Sequence, residues 1–411
     1  MATIAVLGTL DTKGREHAFV AEAIRARGHA TLLIDVGTGG EPVVTPDIDR
    51  ASVAAAGGLD LAALVATGDR GACVAGMAAA AQRLLASLAA EGRIQGVVAL
   101  GGGGGTAIAA AAMRVLPIGF PKLLVSTLAS GNTAHYVGTS DLVMMPAVVD
   151  IQGLNRISRT ILTRAAGAIC GMVEETIAVD ADRPLVVVSM FGNTTRCVEA
   201  AIPLLEAAGY EVLVFHATGT GGRALEALVS SGLVTGVLDI TTTELADEVV
   251  GGVLSAGPDR LDAAARHGVP AVIAPGCLDM VNFGERNTVP ERFSDRTLHA
   301  HNPQVTLMRT TPTECAAIGS LLAAKVNASR GPVTVLLPRG GVSAMSVPGG
   351  PFHDAEADRA LFGAIEAGLR PDVPCIALDC DVNDPAFARA CVDALLAGMR
   401  ERARAADAES H

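Results

Sequence analysis

A short apolar run, a glycine-containing turn and a helix-forming stretch recur in this order along most of the chain. In the first half, apolar runs fall at residues 4–7, 30–35, 96–100, 122–126 and 142–145, and helical stretches fall at 16–27, 75–90, 106–115 and 154–176. Short apolar runs separated by longer helices predict buried parallel strands joined by right-handed crossovers. The predicted fold class is therefore α/β, with a doubly wound parallel sheet.

The same order begins again after the stretch "VDADRP", in which Asp180, Asp182 and Pro184 are turn-forming residues. Further strands are predicted at 211–216, 236–240, 271–274, 333–337 and 375–378. A chain of 411 residues is long for one core. We therefore predict two consecutive doubly wound domains, 1–180 and 181–411. The polar segment 284–302 is predicted to be a functional or mobile loop.

Composition narrows the classes of function. Hydrophobic residues make up 50% of the chain, aromatic residues only 3%, and there are 46 glycines, as expected for strands covered on both faces by small-residue helices. The net charge of −12 argues against a protein that binds nucleic acid. No apolar run reaches membrane-spanning length without glycine or charge, and the first residues read as a strand. We therefore expect a cytoplasmic protein that binds neither nucleic acid nor membrane.

The 8 cysteines include no CxxC pair, so a zinc knuckle or a thioredoxin-like motif is not indicated. Two other reactive groupings stay open. Cys277 follows a predicted strand and could act as a nucleophile. His299 and His301 would point to the same side of an extended segment near Asp295 and could ligate a metal.

The first predicted strand ends in "GTLDTKG", which places Asp11, Thr12 and Lys13 before a helix. Lys13 could contact phosphate oxygens, Thr12 could donate its hydroxyl, and the helix adds the positive end of its dipole. This is not a Walker A loop, because Lys13 precedes Gly14 instead of following a glycine. The alternative is that Asp11 or Thr12 caps the helix and Lys13 is solvated.

A run of five glycines, 101–105, follows the strand at 96–100 and precedes Thr106. Each glycine costs roughly 0.5–1 kcal/mol in backbone freedom, and a plain turn needs only one or two. The run predicts a backbone that approaches an anion closely, with these residues as its contacts: Gly102, Gly103, Gly104, Gly105 and Thr106. A flexible loop or a tight strand–helix crossing is the alternative.

Short polar residues also follow the next two strands. Ser130, Gly131 and Asn132 offer hydrogen-bond donors after the strand at 122–126, with His135 a candidate general base or a simple hydrogen-bonding residue. Asp150 lies just before a helix and is a possible metal or ribose partner.

The second half has similar strand ends. Two turns rich in glycine and hydroxyls are a second candidate anion site, and Arg339 could clamp a carboxylate or phosphate. The predicted substrate-binding residues are Asn193, Thr194, Thr218, Gly219, Gly221, Gly276, Asp279 and Arg339. Each turn taken alone also reads as ordinary structure.

Seven stretches together carry a resemblance to one known family. They are "GTLDTKG", the glycine run before Thr106, "DIQGLNRIS", "SMFGNTT", "PGCLDMVNFGERN", "HNPQVTLMRTT" and "LLPRGGVS…VPGGPFHD". Over residues 4–397 the chain resembles the ATP-binding region of the tomato mosaic virus resistance protein family and its uncharacterised bacterial relatives. The resemblance implies two Rossmann-like domains, a homodimer, and ATP bound with magnesium. The plant protein has a further C-terminal barrel domain that this sequence is not expected to contain, and its antiviral role is not expected here.

The resemblance also implies where the nucleotide phosphates lie: on Asp11, Thr12 and Lys13, on residues 102–106 and on the turn 130–132. We expect an enzyme that uses ATP and Mg²⁺, through Asp11 or Asp150, to act on a small anionic metabolite in a cleft between the domains. Phosphoryl transfer or activation of a carboxylate fits this layout, with Lys13, Asp150 and Arg339 as catalytic candidates. A non-catalytic nucleotide-sensing or partner-binding module, and an enzyme of phosphorylated sugars or acids, are the alternatives.

Overall fold

The computed structural model describes residues 1–176 and 183–409. The described residues fall into two compact units, one within 1–179 and the other within 180–411. The predicted domain boundary at 180 and 181 lies outside the described residues. The predicted cleft between the domains stays a prediction.

The first unit is built on a five-stranded parallel sheet with strand order β2-β1-β3-β4-β5. The strands are β1 (Thr3–Gly8), β2 (Ala30–Asp35), β3 (Gly96–Gly101), β4 (Lys122–Ser126) and β5 (Val143–Pro146). The helices are α1 (Leu10–Arg25), α2 (Arg50–Ala56), α3 (Leu61–Ala66), α4 (Arg70–Ala90), α5 (Gly103–Arg114), α6 (Ala134–Val137) and α7 (Arg156–Glu174).

Strand β1 shows why this sheet is covered on both faces. Successive side chains of a strand point to opposite faces. Ile4 and Val6 belong to a core formed with α1 and α7, whereas Ala5 and Leu7 belong to a core formed with α4 and α5. Full burial of one large aliphatic side chain contributes about 1.5–3 kcal/mol. The unbroken apolar run is therefore a strand enclosed between two helical layers.

The second unit is built on a six-stranded parallel sheet with strand order β14-β13-β9-β8-β6-β7, and a small antiparallel sheet with order β10-β12-β11. The strands are β6 (Leu185–Met190), β7 (Glu211–His216), β8 (Val234–Thr241), β9 (Ala271–Gly276), β10 (Met280–Phe283), β11 (Leu298–Asn302), β12 (Val305–Arg309), β13 (Val333–Pro338) and β14 (Cys375–Leu378). The helices are α8 (Thr195–Ala207), α9 (Thr220–Ser230), α10 (Glu244–Val250), α11 (Asp262–His267), α12 (Pro312–Asn327), α13 (Ala355–Gly368) and α14 (Pro385–Glu409).

These two parallel sheets confirm the predicted fold class. The prediction missed α2, α3 and the small antiparallel sheet. The reading of 284–302 as one long loop is wrong, because β11 ends the segment and Phe293 anchors its middle in the core. Arg296 ties the same segment to α12 through an ion pair with Glu314, at 2.6 Å.

Helix α4 is, within the described parts of the chain, the one helix long and apolar enough to cross a membrane. Met77, Ala81 and Leu85 of this helix are buried in the core of the first unit. We therefore assign α4 as a core helix of an α/β unit.

In each parallel sheet the strand order reverses at one place. The reversal lies between β1 and β3 in the first unit and between β6 and β8 in the second. Ligands of open parallel sheets bind at the carboxyl ends of the strands at such a reversal. These two places are therefore where a site is expected.

Candidate functional site

A cavity of about 590 Å³ lies at the strand reversal of the first unit. The turn after β1 contributes Asp11, Thr12 and Lys13 to its lining, and the turn after β3 contributes glycines 102–105. Two stretches that are 90 residues apart in sequence, and that were both predicted to bind phosphate, thus line one cavity. We call it the glycine cavity.

The glycines of the run 101–105 differ in whether the protein itself requires a glycine at that position. At Gly101 a Cβ would lie 2.4 Å from the backbone N of Thr106, so the chain itself requires glycine there. At Gly103 a Cβ would meet no protein atom within 4 Å, and at Gly104 its nearest neighbour would be Val74 at 3.6 Å. Neither residue has a positive φ. Nothing inside the protein requires glycine at 103 and 104, whereas a ligand in contact with the backbone would.

Helix α5 starts at this cavity without a cap. Its N-cap residue, Gly102, has no side chain to accept a hydrogen bond from the first turn. The N–H groups of the first turn have no acceptor within a helix, and they carry the positive end of its dipole. An anion is the ligand that satisfies both.

Arg70, at the start of α4, adds a full positive charge to the glycine cavity. Its Nη2 would lie 3.9 Å from a Cβ placed on Gly104. Within the described residues its guanidinium makes no hydrogen bond or ion pair. The sequence reading missed Arg70, although Asp69, which caps α4 immediately before it, marks a helix start.

The turn after β1 is held by internal hydrogen bonds. Lys13 has non-helical φ and ψ of −127° and 22°, and its Nζ donates to the carbonyl of Ile151. The hydroxyls of Thr9 and Thr12 lie 3.1 Å apart. Neither Asp11 nor Thr12 caps α1, since the N-cap is Thr9. Lys13 therefore lines the cavity while its ammonium is already engaged by the backbone.

Asp11 and Asp35 shape the loop that follows β2. Asp11 Oδ2 accepts the N–H of Gly39 at 2.9 Å, and its Oδ1 is buried without a hydrogen-bond partner. Asp35 accepts the N–H of Leu10 at 3.0 Å and that of Gly37 at 2.9 Å. Burial raises the pKa of Asp35 above its usual value. Asp11 thus has a structural role at the wall of the cavity.

A second cavity, of about 530 Å³, lies at the carboxyl ends of β4 and β5. Its lining includes Thr127, Ser130, Val148 and Asp150. Asp11 and Asp150 therefore line different cavities. Across the described residues, no three His, Cys, Asp or Glu side chains are grouped as metal ligands would be.

Three of the predicted phosphate contacts line neither cavity. Thr106 is fully buried, and its hydroxyl is hydrogen-bonded to that of Ser126 at 2.7 Å. Asn132 accepts the N–H of Ala134 at 3.2 Å, and Gly131 donates its N–H to Leu128 at 3.1 Å. These contacts organise the turn after β4, and only Ser130 of the predicted turn reaches a cavity.

The strand reversal of the second unit is filled by the chain itself. Arg260, 1% exposed, donates from both Nη atoms to Asp239 at 2.6 and 2.7 Å, and from Nε to Glu244 at 2.6 Å. Ser189 donates to the same Asp239 carboxylate at 2.6 Å. Burial alone would lower the pKa of Arg260, but the carboxylates raise it above its usual value.

Glu244 also caps helix α9. Its Oε1 accepts the N–H of Gly219 at 2.7 Å and that of Gly222 at 3.0 Å. A Cβ on Gly221 would lie 1.8 Å from the carbonyl O of His216, so this glycine is required by packing. At the predicted substrate turn 218–221, an internal carboxylate thus occupies the N–H of Gly219, packing requires Gly221, and the Thr218 hydroxyl donates to the carbonyl of His216 at 3.2 Å.

The other predicted substrate residues of the second unit do not form an open site. Thr194, Gly276 and Asp279 are buried. The Asp279 carboxylate accepts a hydrogen bond from Ser343 at 2.7 Å, and burial raises its pKa to about 6. Arg339 is exposed and pairs with Glu366 at 2.6 Å.

The backbone carbonyl of Asn193 accepts hydrogen bonds from the N–H of Ala344 and the side-chain amide of Asn383, at 3.1 and 2.9 Å. Asn193 is thus used to join loops of the second unit. Cys277 is fully buried, and burial raises the pKa of its thiol well above the usual value, so both its access and its ionisation are unfavourable for a nucleophile. His299 and His301 are exposed on β11.

Comparison with known proteins shows that both units of the chain match domains of one protein family. The Uncharacterised protein family (UPF0261) N-terminal domain matches residues 2–178, and the C-terminal domain of the same family matches 183–399. A UPF0261 protein of Rhizobium meliloti (strain 1021) is 51% identical over 396 residues, covering 96% of this chain and 98% of that protein.

The ToMV resistance protein Tm-1(GCR237) of Solanum lycopersicum is 45% identical over 335 residues, covering 80% of this chain and 44% of that protein. Among solved structures, Acinetobacter baumannii MurG aligns over 96% of this chain and 99% of its own, with 12% identity and a TM-score of 0.22. A TM-score this low carries no functional argument.

Proposed function

We propose that this chain, which belongs to the uncharacterised protein family UPF0261, binds the phosphates of a nucleotide, ATP in particular, in its first unit. The name of the family states no reaction, so the proposal rests on the site. The observation that carries the proposal is the uncapped start of α5, where Gly103 and Gly104 face the glycine cavity for no internal reason. The resemblance to the ATP-binding region of the tomato resistance protein supports the choice of ATP.

The two units differ in a way that favours this assignment. The start of α9 has its N–H groups neutralised by Glu244, whereas the start of α5 has no comparable partner among the described residues. A helix N-terminus without a partner at a strand reversal is an anion site. Arg70 supplies the charge that a phosphate needs, and it lies on the open side of the glycine turn.

An apolar compartment of about 480 Å³ adjoins the glycine cavity and would take the base. It is lined by Leu59, Leu61 and Val65, and it shares Thr38, Gly39 and Val65 with the glycine cavity. Ligand sites combine an apolar surface with a few polar groups that fix orientation. A ligand with an anionic end and a planar apolar end fits this pair of compartments.

Magnesium would enter this site with the nucleotide. Mg²⁺ keeps several waters and binds phosphate oxygens with one or two carboxylates. Asp11 is the carboxylate on the glycine cavity, but one of its oxygens is bonded to Gly39 and the other is buried. The phosphates and water would therefore supply most of the coordination. A ligand of this kind is abundant in the cytoplasm, where we expect the protein to act.

Titration calorimetry with ATP and MgCl₂ tests the proposal. The Arg70→Ala variant should weaken ATP binding at least tenfold, since it removes a full charge from an otherwise unpaired position. Arg93→Ala is the matched control: it removes the same charge from an exposed arginine paired with Glu91, and ATP affinity should not change. Absence of ATP binding at millimolar concentration, or equal affinity in both variants, would refute the proposal.

A turnover assay on the same purified protein distinguishes an enzyme from a binding module. Incubation with ATP, magnesium and a panel of small metabolites, followed for ADP, AMP and phosphate, reports turnover. Release in the presence of one metabolite assigns phosphoryl transfer or carboxylate activation. ATP binding with no release assigns a nucleotide-sensing module.

A further inference from the structure

The turn that follows β5 is strained and lies beside the second cavity. Val148 has φ of +63°, and the N–H of Val149 donates to the carbonyl of Ala147 at 2.7 Å, which makes a three-residue turn around Val148. A β-branched residue at positive φ is a genuine outlier, and this form of turn is rare. The side chain of Val148 is also 80% exposed, so burial does not explain the strain.

Hydrogen bonds on both sides hold this turn in place. The N–H of Ala147 donates to the carbonyl of Ser126 at 3.0 Å, which continues the pairing of β4 with β5. On the other side, Lys13 donates to the carbonyl of Ile151. Strain of this kind persists where the surroundings impose it, and it concentrates at ligand sites. Here it holds Val148 and Asp150 at the wall of the cavity.

The polar groups of the second cavity define what it can bind. The Ser126 hydroxyl is taken by Thr106 and by the N–H of Leu128. Thr127, Ser130 and Asp150 have side chains that form no hydrogen bond or ion pair within the described residues. The lining contains no Lys, Arg or His, so its only formal charge is the Asp150 carboxylate.

A lone carboxylate disfavours an anionic ligand and accepts hydrogen bonds from hydroxyl groups. Its two oxygens can accept from two adjacent hydroxyls of one molecule, while Thr127 and Ser130 can donate or accept. Val148 and Val149 offer an apolar surface for the C–H face of a ring. These features together match a neutral molecule with adjacent hydroxyl groups.

We propose that the second cavity binds a neutral sugar or sugar alcohol through adjacent hydroxyls on Asp150. The cavity adjoins the glycine cavity, because a Cβ on Gly102 would lie 3.9 Å from the Thr127 hydroxyl. This ligand is separate from the proposed nucleotide, and it lies in the first unit, whereas the sequence predicted an anionic metabolite bound by the second. It does not require nucleotide to be bound.

Saturation-transfer NMR without nucleotide tests this site, with D-glucose, D-ribose and myo-inositol as probes. The unaltered protein should transfer saturation to at least one probe, and Asp150→Asn should reduce the signal at least fivefold. Asp295→Asn is the control, because Asp295 is exposed, carries the same charge and forms no hydrogen bond or ion pair among the described residues. Its signal should equal that of the unaltered protein. No transfer to any probe, or equal transfer in Asp150→Asn, overturns the proposal.

The Val148→Gly variant tests separately how the strained turn affects stability and how the Val148 side chain affects binding. Glycine adopts positive φ without steric strain, and relief of the strain at a β-branched residue should outweigh the backbone freedom that glycine costs, so the melting temperature should rise, by roughly 2–4 °C. Probe transfer should fall because the apolar contact is lost. A higher melting temperature with unchanged transfer would remove Val148 from the site. If ATP fails to bind while a sugar does, only the nucleotide proposal fails.

Discussion

The imidazole of His17 lies against the backbone of Gly8, so closely that a Cβ on Gly8 would be 1.8 Å from Nε2. His17 is fully buried, and burial lowers the pKa of its ring, which is therefore neutral. Its Nδ1 donates to the carbonyl of Lys13 at 2.7 Å. The end of β1 and the break in α1 are thereby joined directly behind the glycine cavity.

Gly8→Ala should lower the free energy of unfolding by about 1–3 kcal/mol, because the methyl group must displace a packed ring. Urea denaturation followed by circular dichroism measures the change. Gly40→Ala is the control, since a Cβ there meets no atom within 4 Å and φ is not positive, and its effect should stay within about 0.5 kcal/mol. Equal effects in both variants would mean that the His17 contact is not tight in solution.

The Gly103→Ala variant should lose affinity for ATP without losing stability. The added methyl group meets no protein atom and lies in the first turn of α5, so unfolding free energy should be unchanged or rise by up to about 1 kcal/mol. ATP affinity should fall at least tenfold if phosphate contacts this backbone.

Gly363→Ala, within α13, provides the comparison for that variant, because its Cβ is equally unhindered. It should show a similar stability change and unaltered ATP affinity. Unchanged ATP affinity in Gly103→Ala, despite measurable binding, would place the phosphates elsewhere.

Arg260→Ala should destabilise the second unit by about 3–5 kcal/mol, because it leaves the buried carboxylates of Asp239 and Glu244 without their partner. Arg266→Ala removes an arginine that pairs with Asp259 and Asp262 but is 61% exposed, and it should cost less than about 1 kcal/mol. Thermal melts of both variants test the contrast, and a mild effect at Arg260 would argue against a continuous buried network.

Asp247 should make stability depend on pH near neutrality. Burial raises the pKa of Asp247 from 3.8 to about 7, against the hydrogen bonds it accepts from Asn282 and from the N–H of Leu254. Between pH 4 and 7 the folded protein holds a proton here that the unfolded chain releases. The contribution of Asp247 to stability is therefore full below about pH 4 and is lost as the pH rises to about 7.

Asp247→Asn removes this titration and keeps the shape of the side chain. The variant should gain on the unaltered protein as the pH rises from 5 to 8, by an amount on the order of a few kcal/mol. The Asn282 Oδ1, buried without a partner, can accept from the new amide after rotation of its own amide group. If the difference in stability between the variant and the unaltered protein is the same at pH 5 and at pH 8, Asp247 is ionised throughout this range and the prediction is wrong.

Much of the fold could be predicted because its strands are mainly apolar runs bounded by turn residues, whether fully buried like β4 or partly exposed at a sheet edge like β7 and β14. The predicted strands at 30–35, 122–126, 211–216 and 375–378 coincide with β2, β4, β7 and β14. Such strands are continuous apolar runs, and the helices between them are long. Helices α2 and α3 were missed because each is only about two turns long and polar residues surround them.

The site was harder to predict because the sequence does not indicate whether a glycine is required by the fold or by a ligand. Gly219 has φ of +78°, and its N–H is bonded to Glu244, 25 residues away in sequence. Gly103 has neither constraint, yet both occur in similar glycine- and hydroxyl-rich turns. Only the long-range contacts distinguish a turn closed by the chain from a turn open to a ligand.

The carboxylate of Glu244 is tethered where α9 begins, so the second unit carries its own counter-ion at all times. The proposed function gives the first unit an anion that diffuses, so its resistance to heat should track the concentration of that anion in solution. The two halves of one polypeptide, built on the same architectural plan, would thus respond differently to the supply of a metabolite: one constant, the other adjustable.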